Sequence, residues 1–184
     1  MTGRSKAVRA TVFAVAAVVV VAGCSDSGGS SSSGPGKDRP AVAADVPQGF
    51  DPCKDIPATV MESLSLEPTS PKVFDGSGGI KWRGCGWVKP SGYTVGITAT
   101  NLTLGMVRAK GFPDTRDFTI GLRSAVSTRR PDDSEACWVN VDMKGGTLEF
   151  LLNNPPYAST SKTDACELAR GVAEKIAPSM PASA

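Results

Sequence analysis

The sequence contains no histidine. A Ser-His-Asp or Cys-His nucleophile needs an imidazole to accept its proton, so both devices are excluded, together with any histidine-ligated metal. No phosphate loop of the form G-x-x-x-x-G-K-[ST] occurs either. A carboxylate pair, such as Asp132 or Glu135 with Asp114, and a Ser/Lys pair that meets in space remain open. We expect a non-catalytic protein without a metal or cofactor.

The cysteines lack the close C-x-x-C spacing that is typical of zinc sites. A catalytic thiol is disfavoured too, because no histidine is present to activate it. Five cysteines occur, and in an oxidising compartment an even number of them can be held in disulfides. Structural cross-links are therefore favoured over a metal site.

Excess positive charge is confined to the N-terminus. The chain has 20 Lys+Arg against 18 Asp+Glu, and Arg4, Lys6 and Arg9 precede an apolar run over residues 10–23. Removing these three basic residues leaves 17 against 18 acidic ones. No basic patch remains to suggest a nucleic-acid partner.

The apolar run ends in Val21-Ala22-Gly23-Cys24, which has the form of a lipoprotein signal peptide. Cleavage before Cys24 would leave its thiol to carry the lipid. The alternative is a transmembrane helix, but the run is about 14 residues where roughly 20 are needed to cross a bilayer. We expect residues 1–23 to be removed, and Cys24 to anchor the protein to the outer face of the cell membrane.

Residues 24–49 are rich first in serine and glycine and then in proline and alanine. Such a composition buries too little apolar surface to offset its ordering entropy, so it predicts a flexible tether with a root-mean-square reach of roughly 27 Å. A disordered terminus without a role would have the same composition. Residues 50–184 then form one domain.

Four cysteines remain after lipidation of Cys24, and they permit three pairings. Local pairing, Cys53 with Cys85 and Cys137 with Cys166, is our prediction. Each bridge would join a predicted helix to a predicted strand and would constrain the unfolded chain by roughly 3–4 kcal/mol.

Two stretches have the apolar spacing of a helix. Ile56, Val60 and Leu64 form one stripe, which Asp55 would cap. A longer helix is predicted over residues 162–177, with Ser161 or Thr163 as its cap and Pro178 at its end. A weaker helical pattern covers residues 101–110.

Five segments alternate apolar and polar residues or are bounded by turn residues, as β-strands are. They are residues 80–88, 93–100, 118–127, 136–142 and the strand that follows Gly145-Gly146. The element order predicts an α+β domain, in which N- and C-terminal helices pack on an antiparallel sheet of about five strands.

Four short motifs carry a family resemblance: Phe50-Asp51-Pro52-Cys53, Gly84-Cys85-Gly86-Trp87, Cys137-Trp138-Val139 and Asp164-Ala165-Cys166-Glu167-Leu168-Ala169. With these motifs the chain resembles the actinobacterial lipoproteins grouped as the domain of unknown function DUF3558, among them the mycobacterial LprB and LprC lipoproteins. The resemblance covers residues 50–177 and the lipid-attachment motif. It implies a cell-envelope lipoprotein with structural disulfides, and it implies no activity and no catalytic residues.

A sheet covered by helices can hold a groove, so we expect a non-catalytic binding module for a lipid, a glycan or a peptide. The candidate ligand-binding residues are Trp82, Tyr93, Trp138 and Tyr157. Plain packing is the alternative for each of them. Trp138 stands out because its neighbour Cys137 would face the core. The second function hypothesis is a structural or accessory protein that contacts an envelope protein partner.

Overall fold

The computed structural model describes residues 41–184. The predicted signal peptide, the predicted lipid-attachment residue Cys24 and the first part of the predicted tether lie outside these residues. Among the described residues, Val46 and Phe50 are buried, and the Nδ2 of Asn101 donates a 2.7 Å hydrogen bond to the carbonyl of Ala43. Packing therefore begins within the stretch assigned to the tether, before the predicted domain boundary at Phe50.

One antiparallel sheet of seven strands forms the centre of the domain, with the spatial order β1-β2-β3-β7-β6-β5-β4. The strands are β1 (Glu67–Asp75), β2 (Lys81–Val88), β3 (Thr94–Thr100), β4 (Arg116–Ile120), β5 (Arg123–Thr128), β6 (Ala136–Met143) and β7 (Gly146–Asn153). The helices are α1 (Ala58–Ser63), α2 (Leu104–Arg108) and α3 (Ala165–Ile176). The domain is thus α+β, with two meanders that meet where β3 pairs with β7.

Strand alternation gives the sheet two different faces. Ile97 pairs with Phe150, which also pairs with Val139, and these side chains are fully buried on the face that we call the covered face. The next residue of each strand points the other way, because successive side chains of a strand alternate. Those residues, such as Glu149, lie on what we call the open face.

Helix α3 packs on the covered face against β6 and β7. Its buried stripe contains Ala169, Val172, Ala173 and Ile176, which matches the predicted apolar pattern. Asp164 caps this helix, and its carboxylate accepts hydrogen bonds from the backbone N–H groups of the next turn. The helix therefore begins at Ala165 rather than at residue 162, and the predicted caps Ser161 and Thr163 were wrong.

Both predicted disulfides are confirmed. Cys53 is bonded to Cys85 across 32 residues of chain, and Cys137 to Cys166 across 29. The first ties the segment before α1 to β2. The second ties α3 to β6, and Cys137 is fully buried.

The N-terminal helix is shorter than predicted. It spans six residues and begins after Pro57, without a side-chain cap. The carboxylate of Asp55, the predicted cap, instead accepts a 2.7 Å hydrogen bond from the backbone N–H of Asp51. The predicted stripe is only partly buried, since Ile56 lies in the core while Val60 and Leu64 pack at its edge.

The sheet has seven strands where about five were predicted, for two reasons. No strand was predicted where β1 lies, because Pro68 and Pro71 interrupt any alternation and every residue of the strand is exposed. Residues 118–127 form two strands instead of one, since the chain turns at Gly121, which has a φ of 57°. A left-handed φ is open to glycine at little cost, so this single residue supports the hairpin.

Helix α2 lies on the open face above β5 and β6. Its residues Leu104 and Val107 pack with Leu102 and Val126 in a small second cluster. The hydroxyl of Thr103 caps the helix by accepting a hydrogen bond from the N–H of Met106. This helix covers one end of the open face and leaves the part above β2, β3, β7 and β6 uncovered.

Candidate functional site

The uncovered part of the open face forms a groove with a volume of about 400 Å³, which we call the open-face groove. Its floor comes from β2, β3, β7 and β6, one wall from β1 and the other from the loop between β5 and β6. The lining residues are Thr69, Lys72, Phe74, Gly86, Trp87, Thr94, Val95, Gly96, Thr98, Arg130, Asp133, Ala136, Trp138, Glu149, Leu151 and Asn153. A groove of this size is within the range of small-molecule sites.

Glu149 is the central polar residue of this groove, and its side chain is 6% exposed. The indole Nε1 of Trp82 donates to its Oε1 at 3.0 Å, and the Nδ2 of Asn140 donates to its Oε2 at 3.3 Å. Burial raises the pKa of the Glu149 carboxyl, and these hydrogen bonds and the nearby charges of Lys110 and Arg130 counteract burial only in part. The groove thus holds an oriented carboxyl group that is reluctant to ionise.

Aromatic rings flank the groove at two places. The ring of Phe74 stacks on that of Trp82 at a centroid distance of 4.7 Å. Across the groove, the guanidinium carbon of Arg130 lies 4.8 Å from the centroid of the Trp138 ring, which is a cation–π contact. These contacts fix the rings, so the walls of the groove are largely formed without a ligand.

Two of the four predicted ligand-binding residues meet at the groove. Trp138 lines it, and Trp82 holds Glu149 from beside it. Tyr93 is buried in the core with 4% exposure, and that burial raises the pKa of its phenol. Tyr157 is 89% exposed in the segment after β7 and does not line the groove.

Sequence reasoning missed Glu149. The residue lies between Leu148 and Phe150, which face the core, so alternation assigns it to the opposite and apparently solvated side. Its burial comes from Trp82 and Asn140 on other strands, and strand register is not visible in the sequence. One feature of the sequence could have indicated Glu149: it is the one acidic residue in an otherwise apolar strand. The preceding strand carries Trp138 and Asn140 on the same, outward side.

A second cavity of about 480 Å³ lies at the start of α3. Arg129 forms an ion pair there with Asp164, and Arg116 with Asp114. Burial alone would raise the pKa of Asp164, but the bonds from Arg129 and from the helix N-terminus outweigh it and hold the pKa below its usual value. The pair of Arg129 with Asp164 stabilises the start of α3, and among the described residues the buried Nε of Arg129 has no hydrogen-bond partner.

The motif residues of the first meander have structural roles. A Cβ at Gly84 would lie 2.0 Å from the carbonyl oxygen of Ile97, so only glycine allows β2 to approach β3 this closely. A Cβ at Gly86 would meet the Thr69 hydroxyl at 2.6 Å, so this glycine lets β1 lean over the groove. Cys85, between them, holds the disulfide to Cys53.

Among residues 41–184, no helix has both the length and the apolar character needed to span a bilayer. The same part of the chain has no group of three or more Cys, Asp or Glu side chains arranged to hold a metal ion.

These features define a disulfide-linked α+β domain with one helix-covered sheet face and one face that forms a groove. Over residues 19–179 the chain matches the family described as protein of unknown function (DUF3558), and it belongs to that family. No curated protein and no solved structure matches it.

Proposed function

We propose that this chain is a lipid-anchored protein of the cell envelope, of the actinobacterial LprB-like kind, whose domain binds a small ligand without chemical turnover. The observation that carries the proposal is the open-face groove, which combines about 400 Å³ of space with a buried carboxyl group and a fixed aromatic wall. Binding sites typically combine such apolar walls with a few oriented polar groups. The apolar run and Cys24 support the anchor.

Native mass spectrometry tests the binding function. The full-length protein is purified from its own membrane under mild conditions, and its mass is compared before and after denaturation. We expect a retained small molecule that is lost from a variant in which the groove is filled, such as Gly96→Leu. Retention of the same molecule by the filled variant would contradict binding in the groove.

The anchor is tested by Cys24→Ala. This change removes the thiol that would carry the lipid, so we expect the protein to be released from the membrane or to accumulate as an uncleaved precursor. Two or more acyl chains, at roughly 0.8 kcal/mol per buried CH₂, would hold the wild type stably on the membrane. A variant of mature length that still partitions into detergent like the wild type would refute the anchor.

A second candidate is a structural or accessory protein that binds an envelope protein partner. The edge strand β1 favours it, because Val73 and Phe74 are 63% and 51% exposed on opposite faces of that strand. Exposed apolar residues at a sheet edge are a common feature of contact surfaces. Photo-crosslinking from position 73 in whole cells tests this candidate, and a single specific adduct is the expected result.

A further inference from the structure

The floor of the open-face groove is ordered in rows that run across the strands. One row is apolar and nearly flat: Gly86 pairs with Gly96, Gly96 with Leu151 and Leu151 with Trp138. Gly96 leaves bare backbone beside the Leu151 and Trp138 side chains, since a Cβ there would meet nothing within 4 Å, whereas Gly86 lies under Thr69 and Lys72 of β1. This row is a shelf on which a flat ligand with an apolar face can lie.

The adjoining row is polar. Thr98 pairs with Glu149, which also pairs with Asn140, and the row lies two residues, or about 7 Å, along the strands from the shelf. A carboxylate has about four acceptor sites, of which Trp82 and Asn140 occupy two on Glu149. The remaining sites can accept hydrogen bonds from the hydroxyl groups of a ligand on the shelf.

The charge around the groove favours a neutral ligand. Its charged lining residues are two of each sign: Lys72 and Arg130, Asp133 and Glu149. Whether Glu149 is ionised or neutral, these residues carry at most one excess positive charge, so the groove has no strong attraction for a charged ligand. A phosphate or carboxylate head group would also lie close to the acid at the floor.

Neither an acyl chain nor an extended peptide fits these rows as well. The CH₂ groups of an acyl chain would displace water from Thr98 and Glu149 without replacing its hydrogen bonds, which is unfavourable. A peptide that adds a strand needs a free sheet edge, and the edge beside the groove carries Pro68 and Pro71. A sugar ring satisfies both rows, since it has C–H groups on its face and hydroxyls around its rim.

On the basis of the proposed function, we infer that the open-face groove binds a short, uncharged oligosaccharide. One sugar ring lies on the shelf of Gly96, Leu151 and Trp138, and its hydroxyls donate to Glu149. Trp82 and Asn140 hold the Glu149 carboxyl in one orientation, so its free acceptor sites orient the sugar ring.

The inference is tested with the full-length protein in a detergent that has neither a sugar head group nor an aromatic ring. An array of neutral di- to tetrasaccharides identifies a binder, and tryptophan fluorescence then measures its affinity. We expect Gly96→Leu to abolish binding and Glu149→Gln to weaken it tenfold or more. Thr119→Leu is the matched control, because Thr119 is exposed on the open-face side of β4, outside the groove.

Fatty-acid and tripeptide probes in the same assay separate this inference from the proposed function. If one of them binds and Gly96→Leu blocks it while no saccharide binds, the oligosaccharide is wrong and the binding function stands. If no probe of any class binds, both are overturned. Saccharide binding that survives both Gly96→Leu and Glu149→Gln, with circular dichroism showing folded variants, would overturn the assignment to this groove.

Discussion

The two faces of the central sheet come from the same strands and differ in what their side chains contact. On the covered face, Ile97, Val139 and Phe150 are excluded from water by α3 and by one another. On the open face, Thr98 and Glu149 are kept from bulk water by a few long side chains and not by a second layer. One face therefore supplies most of the stability of the fold, while the other can be altered with little effect on folding.

The largest difference is expected between neighbouring residues of β7. Phe150→Ala removes a ring from the core and should lower the free energy of unfolding by about 3–5 kcal/mol. Leu151→Ala changes a side chain that is 36% exposed and should cost less than about 1 kcal/mol. Urea denaturation of both variants measures the two values. Similar losses would mean that the open face is packed as tightly as the covered one.

The two disulfides close loops of similar size, 32 and 29 residues, so the chain-entropy model gives them nearly equal effects. Cys137 is fully buried under α3, whereas Cys53 is exposed. We expect replacement of both Cys137 and Cys166 by alanine to cost about 2–5 kcal/mol, and the corresponding change at Cys53 and Cys85 to cost less. Thermal melting of the two double variants gives the ranking. Dithiothreitol should also reduce the Cys53–Cys85 bond first, and the reverse order would contradict the burial argument.

The pH dependence of stability, compared between the wild type and Glu149→Gln, tests the burial of the carboxyl group on the open face. Burial raises the pKa of Glu149 above its ordinary value of 4.5, so the folded protein binds this proton more tightly than the unfolded chain. Its contribution to stability is present at low pH and is lost as the pH rises from 4.5 through the raised pKa. The variant should therefore gain stability relative to the wild type across this window and keep a constant advantage above it. Melting temperatures of the pair between pH 4 and 8 test this, and parallel curves would be the contrary result.

The smallest effect is expected at Gly96. This glycine is in the interior of a strand, has room for a side chain and has a backbone that other residues can adopt. Gly96→Thr should stabilise the protein by about 0.5–1 kcal/mol, because glycine loses more conformational freedom on folding and threonine is favoured in strands. A loss of stability, measured by urea denaturation, would show that the groove is closed in solution.

Much of the covered face was predictable, and little of the groove was. Alternating runs such as Leu148, Phe150 and Leu152 carry their orientation in the sequence, and local cysteine spacing was enough to pair the disulfides. Strand β1 was not predictable, because it is exposed on every residue and contains two prolines. The groove wall that β1 forms and the burial of Glu149 both depend on which strands are neighbours in the sheet, and the sequence does not show this.

The groove also depends on residues whose role no local sequence pattern indicates. Trp82 and Asn140 are far apart in the sequence, and both become hydrogen-bond donors to Glu149 only when β2, β3, β7 and β6 lie side by side. Alternation correctly placed Trp138 opposite Cys137 but could not tell which other aromatic residues would join it. Tyr93 and Tyr157 are aromatic like Trp82, so residue type alone did not separate them, but neither of them lines the groove.

The contact between β3 and β7 has a consequence for how the protein is made. It is the central junction of the sheet, and neither disulfide crosses it: Cys53–Cys85 joins the segment before α1 to β2, and Cys137–Cys166 joins β6 to α3. Because Cys53 and Cys85 precede Cys137 and Cys166 along the chain, the first pair of thiols can meet before the second pair has been synthesised. Each half can thus be oxidised with its own partners, and the order of synthesis itself protects the chain from mispaired cysteines.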